Sequence, residues 1–227
     1  NPKMDVWDFG AVQLDSAIYE NHLNVEVING WYAETIAPGS SGNVLPSFTS
    51  GILTWTGGGN DRLRTTNKEL TRYDENIGGA TGYTGRIYVN SAAAITRYLS
   101  LDLNPDDEVT LVTRTDAGGI LNFVNVGNPD LQTDRVEVSD LKTVKFVAQT
   151  AGTYKVFDTQ GKPSYYRIVR KPATYATLSG TIDLTSAPGI LPGFWLQFVN
   201  EAGKGWNADL TATGYSVILV NVDFRYQ

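Results

Sequence analysis

Cysteine is absent from all 227 residues, so neither a disulfide framework nor a thiolate metal site can form. Because secreted bacterial proteins and cytosolic ones both manage without it, this absence leaves the compartment open. Histidine is nearly absent too. The single His22 excludes a multi-histidine metal site and leaves a Ser-His-Asp triad only one histidine to use; its setting, "YENHLNVEV", points to a structural role at the start of a strand. Positive charge is in deficit, with 18 Lys and Arg against 24 Asp and Glu for a formal charge of −6. That balance speaks against nucleic acid or an anionic membrane as the main partner. Long apolar runs are missing, and "NPKMDVWDFGAVQLD" has no signal-peptide pattern; the expectation is a soluble chain whose export signal, if any, has been removed. No "GxSxG", "HExxH" or "GxxxxGK[ST]" occurs, so catalysis has little to rest on.

What is present is strand periodicity. From about residue 83 the runs "GRIYVN", "RYLSLDL", "DEVTLVTRT", "GILNFVNV", "KTVKFVA", "GTYKVFD" and "SYYRIVRK" alternate apolar and polar residues. Turn chemistry divides them at "NPDD", "DAGG", "GNPD", "QTAG" and "TQGKP". The pattern predicts an all-β fold, an antiparallel, jelly-roll-like β-sandwich. "LNVEVINGWY" (23 to 32) and "ILTW" also read as strands, set among loops such as "TIAPGSSGNVLPS". A boundary is expected near "RKPATYATLSG", dividing residues 1 to 171 from 172 to 227. The second piece is marginal for an independent sandwich, being only about 50 residues long. Either it packs on the first or the module is incomplete.

Residues 57 to 90 gather Arg62, Arg64, Arg72 and Arg86 with Tyr73, Tyr83 and Tyr88 in this acidic chain. In extended segments Arg62 and Arg64 share one face, as do Arg86 and Tyr88, while Ile87 and Val89 supply the core side. Guanidinium forks suit carboxylates and aromatic faces suit sugar rings, so the stretch fits an acidic glycan. The plainer reading pairs the arginines with Asp61, Glu69, Asp74 and Glu75 in a surface ion network. Trp31, Tyr32 and Trp55 stand at strand-to-loop junctions, as stacking platforms or as caps on the core. Trp7 is expected in the core with its ring nitrogen bonded internally. Trp195 should face away from the core, with Trp206 paired near it across a hairpin. "DLNPDDE" places Asp102, Asp106, Asp107 and Glu108 around one turn, read as a solvated hairpin tip, with structural calcium as the alternative.

The succession "WDFGA", "DRLRTTN", "LTRYD", "GRIYVNS", "RYLSLDL" and "GTYKVFDTQGKPSYYRIVRK" resembles the non-catalytic β-sandwich module of multimodular secreted bacterial pectate lyases, over residues 1 to about 171. "LSGTIDLT" and "GYSVIL" resemble transthyretin-like or carboxypeptidase-regulatory-like modules, with Gly180, Ile182, Gly214, Tyr215 and Val217 carrying the match. These resemblances imply a secreted carbohydrate-binding module that tethers an appended catalytic domain to pectic or other plant cell-wall polysaccharide. Two other functions compete: a structural spacer, and a jelly-roll polysaccharide lyase that would draw on Arg62 or Arg64, Asn67, Tyr73 and His22.

Overall fold

A computed structural model of the chain describes residues 2–31, 43–65, 83–93, 95–115, 118–183 and 216–225, and of 175 onward the backbone alone. The chain divides into two compact units, Asn1–Ala173 and Thr174–Gln227. In the first, the strands are β1 (Met4–Asp8), β2 (Tyr19–Asn21), β3 (Asn43–Val44), β4 (Phe48–Ser50), β5 (Leu53–Thr56), β6 (Arg62–Thr65) and β7 (Gly85–Tyr88). They continue as β8 (Tyr98–Leu103), β9 (Glu108–Thr115), β10 (Gly119–Asn125), β11 (Thr133–Val138), β12 (Lys142–Val147), β13 (Gly152–Asp158) and β14 (Pro163–Lys171).

These strands form two facing sheets. The first runs β12-β9-β14-β7-β6-β3, with β1 also paired to β14 and β2 added parallel to β1. The second runs β11-β10-β13-β8-β5-β4. Among the described strands of this unit every pairing except β1 with β2 is antiparallel, so the all-β class stands and the unit is an antiparallel sandwich. In the second unit the described strands are β15 (Tyr175–Asp183) and β16 (Ser216–Arg225), one antiparallel pair. Trp195 and Trp206 lie outside the described residues.

Alternation makes the core. Leu99, Leu101 and Leu103 of β8 face Val109 and Leu111 of β9 across the sandwich, all buried, while intervening residues turn outward. An aromatic stack joins the layers: Phe123 of the second sheet lies 4.8 Å from Phe146 of the first and 4.6 Å from Tyr154. Trp7 is buried as expected, its Nε1 donating to the Ser50 carbonyl at 2.9 Å, and its ring stacks on His22 at 4.7 Å. His22 Nε2 lies 2.7 Å from Asp5 Oδ1, just beyond β2.

Two expectations need correction. Residues 25 to 31 form a short helix, α1 (Val25–Trp31), where a strand was read. Asn24 decides this locally: its Oδ1 accepts from the Val27 amide at 2.9 Å as an N-cap, its carbonyl accepts from Ile28 at 3.0 Å, and Ile28 buries against the core. The "NPDD" turn is likewise no hairpin tip, because β8 and β9 belong to different sheets and the turn carries the chain between them. Its carboxylates are tied to different partners. Asp102 accepts from Thr153 Oγ1, Glu108 pairs with Lys145 and Lys171, and Asp107 is fully buried. Among the described residues, no group of three or more His, Cys, Asp or Glu is arranged to hold a metal ion.

Asp107 is the anchor of that crossover. Its Oδ2 accepts from Arg170 Nε and Nη2 at 3.0 and 2.8 Å and from the Asn104 amide, and its Oδ1 accepts from the Ala173 amide. Arg170 Nη1 donates to Asp5 Oδ2 at 3.0 Å. Burial works against the guanidinium charge, yet the hydrogen bonds and charges of Asp107 and Asp5 hold its pKa above the ordinary value. One arginine thus joins β1, β14 and the sheet-to-sheet turn. Replacing Asp107 by Ala leaves Arg170 with Asp5 alone and strands two amides, and should lower unfolding free energy by about 3 kcal/mol, read as a drop in the urea midpoint at unchanged m.

Candidate functional site

The arginine stretch forms two adjacent strands of the first sheet. In β6, Leu63 and Thr65 are buried and Arg62 and Arg64 point to the other face; in β7, Ile87 enters the core and Arg86 and Tyr88 join the arginines. The register sets Arg62 directly opposite Tyr88 and Arg64 directly opposite Arg86. Two like charges placed across a strand pair repel, so something must compensate. The Tyr88 ring does part of this, with the Arg86 guanidinium 5.2 Å and the Arg64 guanidinium 5.9 Å from its centroid.

Arg86 is only 4% exposed, deeper than its sequence setting implied. Its Nη1 donates to Ser164 Oγ at 3.1 Å, from the residue of β14 that stands opposite Tyr88. Arg64, Arg86 and Tyr88 are all engaged by neighbouring groups, so the cluster is held in place. Arg62 differs. It is half-buried, and its Nη1 is buried without a hydrogen-bond partner.

The same face continues past β14. There the register slips between Tyr165 and Arg167, so Tyr166 is an inserted residue. Tyr165 points into the core, where burial and then the charge of Asp158 push its phenol pKa far up and keep it neutral. Tyr166 turns to the outer face and packs with Val112 and Tyr83, whose ring lies 5.7 Å away. The Arg167 guanidinium sits 5.2 Å over the Tyr83 ring while its Nε donates to Asp8 Oδ2 at 2.6 Å. The result is one outer face of interleaved guanidinium and phenol groups.

Other candidates go elsewhere. Trp55 is a correction: it is fully buried, because the two-residue period of β5 turns Leu53 and Trp55 inward, and it stands opposite Phe48 and Leu99. A Cβ at Gly57 would lie 2.6 Å from its Nε1, so the chain crosses the ring edge closely and the ring offers no platform. Trp31 ends α1 with its ring stacked on Phe48 at 4.1 Å, which occupies one of its faces, and it packs against the core. Of the four acids expected in an ion network with these arginines, Asp61 is the one among the described residues, and it is buried and pairs with Arg97 at 3.1 Å. Tyr32, Asn67, Glu69, Arg72, Tyr73, Asp74 and Glu75 lie outside the described residues.

Sequence reasoning missed Ser164, Tyr166 and Arg167. The adjacent "YY" was a usable sign, because two large rings in succession cannot both enter the core of a regular strand.

No protein-family model matches this chain, and no curated protein sequence does. Among solved structures it is similar to a carbohydrate-binding module of Cellvibrio mixtus lichenase 5A in complex with cellotriose: 13% identity, TM-score 0.30, 42% of this chain and 82% of that one. It is also similar to the CBM22-1–GH10 modules of Clostridium thermocellum xylanase 10B complexed with xylohexaose, at 13% identity and TM-score 0.33, over 55% of this chain and 27% of that one. A Bacillus subtilis protein matches at 13% identity and TM-score 0.40, over 77% of this chain and 43% of that one. The chain therefore spans less than half of the last two structures.

The close join between β1 and β7 fixes where the arginine face sits. A Cβ at Gly85 would stand 2.1 Å from the Phe9 carbonyl oxygen and 2.5 Å from the Gly10 amide nitrogen, both backbone atoms with little room to move. Gly85→Ala should therefore displace β7 and cost about 3 kcal/mol in chemical unfolding, as overpacking does.

Proposed function

We propose that the outer face of β6, β7 and β14 binds carbohydrate, with acidic polysaccharide such as pectate as the preferred class. The observation that carries the reading is the Nη1 of Arg62, a buried guanidinium nitrogen without a hydrogen-bond partner, opposite the Tyr88 ring. Burying such a donor costs free energy, which turning the half-buried Arg62 side chain outward onto a bound acceptor would return. A uronate carboxylate or a sugar hydroxyl supplies that acceptor, while the Tyr88 ring offers an apolar face to the sugar's C–H groups. Arg86, anchored through Ser164, and Arg64 opposite it add positive charge to this face. Attraction for a polyanion is modest overall, given a net charge of −6.

Nothing here requires chemistry on the glycan. The lyase alternative could use a tyrosine or His22 to move the proton; His22 is stacked on Trp7 beside Asp5, and Asn67 and Tyr73 lie outside the described residues. In this reading the chain is a non-catalytic targeting module of a secreted polysaccharide-degrading enzyme.

Affinity electrophoresis and calorimetry with polygalacturonate, xylan and β-glucan test it. Binding to polygalacturonate without product absorbing near 235 nm (a wavelength characteristic of unsaturated uronides) is the expected result, and Arg62→Ala should weaken it about tenfold, or 1.4 kcal/mol. An unchanged affinity in that variant removes the proposed site. Silence on every polymer leaves a structural spacer as the function.

A further inference from the structure

Among the described residues of the first unit the buried carboxylates are those of Asp8, Asp61, Asp107 and Asp158. The first three each meet an arginine: Asp8 pairs with Arg167 at 2.6 Å, Asp61 with Arg97 at 3.1 Å and Asp107 with Arg170 at 2.8 Å. Asp158 pairs with no described Lys, Arg or His. Its Oδ1 accepts from the amides of Gln160 and Gly161, while its Oδ2 is buried without a hydrogen-bond partner. Two amides offer partial charge alone, and a carboxylate taken out of water calls for a full countercharge.

The surroundings of Asp158 come from both sheets. β9 of the first sheet leads into β10 of the second, and β13 of the second leads back into β14 of the first, so two crossings meet at this end of the interior. Alternation turns Thr115, Gly119 and Asp158 inward, in line with Leu111, Leu121 and Val156 of their strands. A Cβ at Gly119 would stand 2.1 Å from Asp158 Oδ2 and 3.0 Å from Thr115 Cγ2, so both side chains border the space that the glycine leaves. Thr115 Oγ1 and the Tyr165 hydroxyl are likewise buried without hydrogen-bond partners. The Tyr165 phenol stays neutral, its pKa raised by burial first and then by the charge of Asp158. Three partnerless oxygens, one of them charged, thus gather in one corner of the core, where buried polar atoms are rarely left so.

We propose that this corner binds a monovalent metal cation through Asp158 Oδ2, Thr115 Oγ1 and the Tyr165 hydroxyl, in the place that an arginine takes beside each of the other buried aspartates. One carboxylate balances one positive charge, and the two hydroxyls are neutral oxygen ligands. Calcium takes about six to eight oxygens, and a divalent ion on this set would leave an excess charge in the core. An internal water would satisfy the hydroxyls without supplying the countercharge. Gly119 and Gln160 also line a cleft of about 300 Å³ with Glu137 on its wall, which brings solvent to the edge of the corner. So placed, the ion joins β9 and β14 of the first sheet to β13 of the second. This site does not rest on the reading given to Arg62.

An amide-detected NMR titration of the whole chain, prepared in tetramethylammonium chloride and taken at constant ionic strength into sodium or potassium chloride, tests the idea. The Gln160 and Gly161 amides, bonded to the same carboxylate, should shift saturably with at least one of the two metal ions. Asp158→Asn should abolish that response. Tyr165→Phe and Thr115→Val each remove one oxygen ligand with little change of volume, and each should raise the half-saturating concentration at least threefold. Arg62→Ala should titrate as the parent does, so that failure of the glycan reading and failure of this one are told apart. The proposal is overturned if neither sodium nor potassium moves those amides saturably, if calcium saturates them at a lower concentration than either, or if Tyr165→Phe and Thr115→Val both titrate as the parent does. If those two variants are instead more stable than the parent in every salt, the oxygens have no ligand and the proposal falls as well.

Discussion

One inserted residue in β14 governs how the first unit is assembled. β14 pairs with β9 along one side, and along the other it meets β7 first and β1 afterwards, end to end. A regular strand would keep a single alternation through both contacts. The bulge at Tyr166 resets it, so Tyr165 and Ile168 both enter the core while Ser164 and Arg167 face outward. Downstream of the bulge, Arg167 reaches Asp8 and Arg170 reaches Asp5 and Asp107; upstream of it, Ser164 meets Arg86. Both the ionic brace at the strand's end and the arginine face in the middle depend on that one change of phase.

The outer face shows how burial alters the meaning of a basic residue. Arg86 is charged and almost wholly enclosed, so its role is to be held, and it holds Ser164 and the Tyr88 ring in return. Arg62 keeps a nitrogen uncommitted.

Much of the sandwich was legible because its signal is local. The runs from residue 83 to 171 alternate, and the turns between them have residues of known preference, so β7 to β10 and β12 to β14 follow the sequence pattern; β11, with the charged sequence TDRVEV, was not read as a strand. The N-terminal third was not legible in the same way. Val25, Val27 and Ile28 look like strand residues by type, and only the capping Asn24 marks the helix. Partner choice was harder still: "NPDD" has the same turn chemistry whether it closes a hairpin or carries the chain between sheets, and only the long-range bond from Arg170 to Asp107 distinguishes them. Trp55 failed for a smaller reason. It lies on the inward beat of β5, one step from the reading that put it at the surface.

The brace at Arg170 has a mechanical side. β1 and β14 are antiparallel, with Asp5 opposite Arg170, so residues 4 and 171 leave the unit side by side. Tension applied through the chain on both sides would not shear these strands past one another; it would open them like a zipper, one rung at a time. The first rung to bear load is the pair Asp5 and Arg170, and behind it stands Asp107, fastened to the Ala173 amide at the very point where the second unit begins. The arginine is thus a locking stitch at the seam's end.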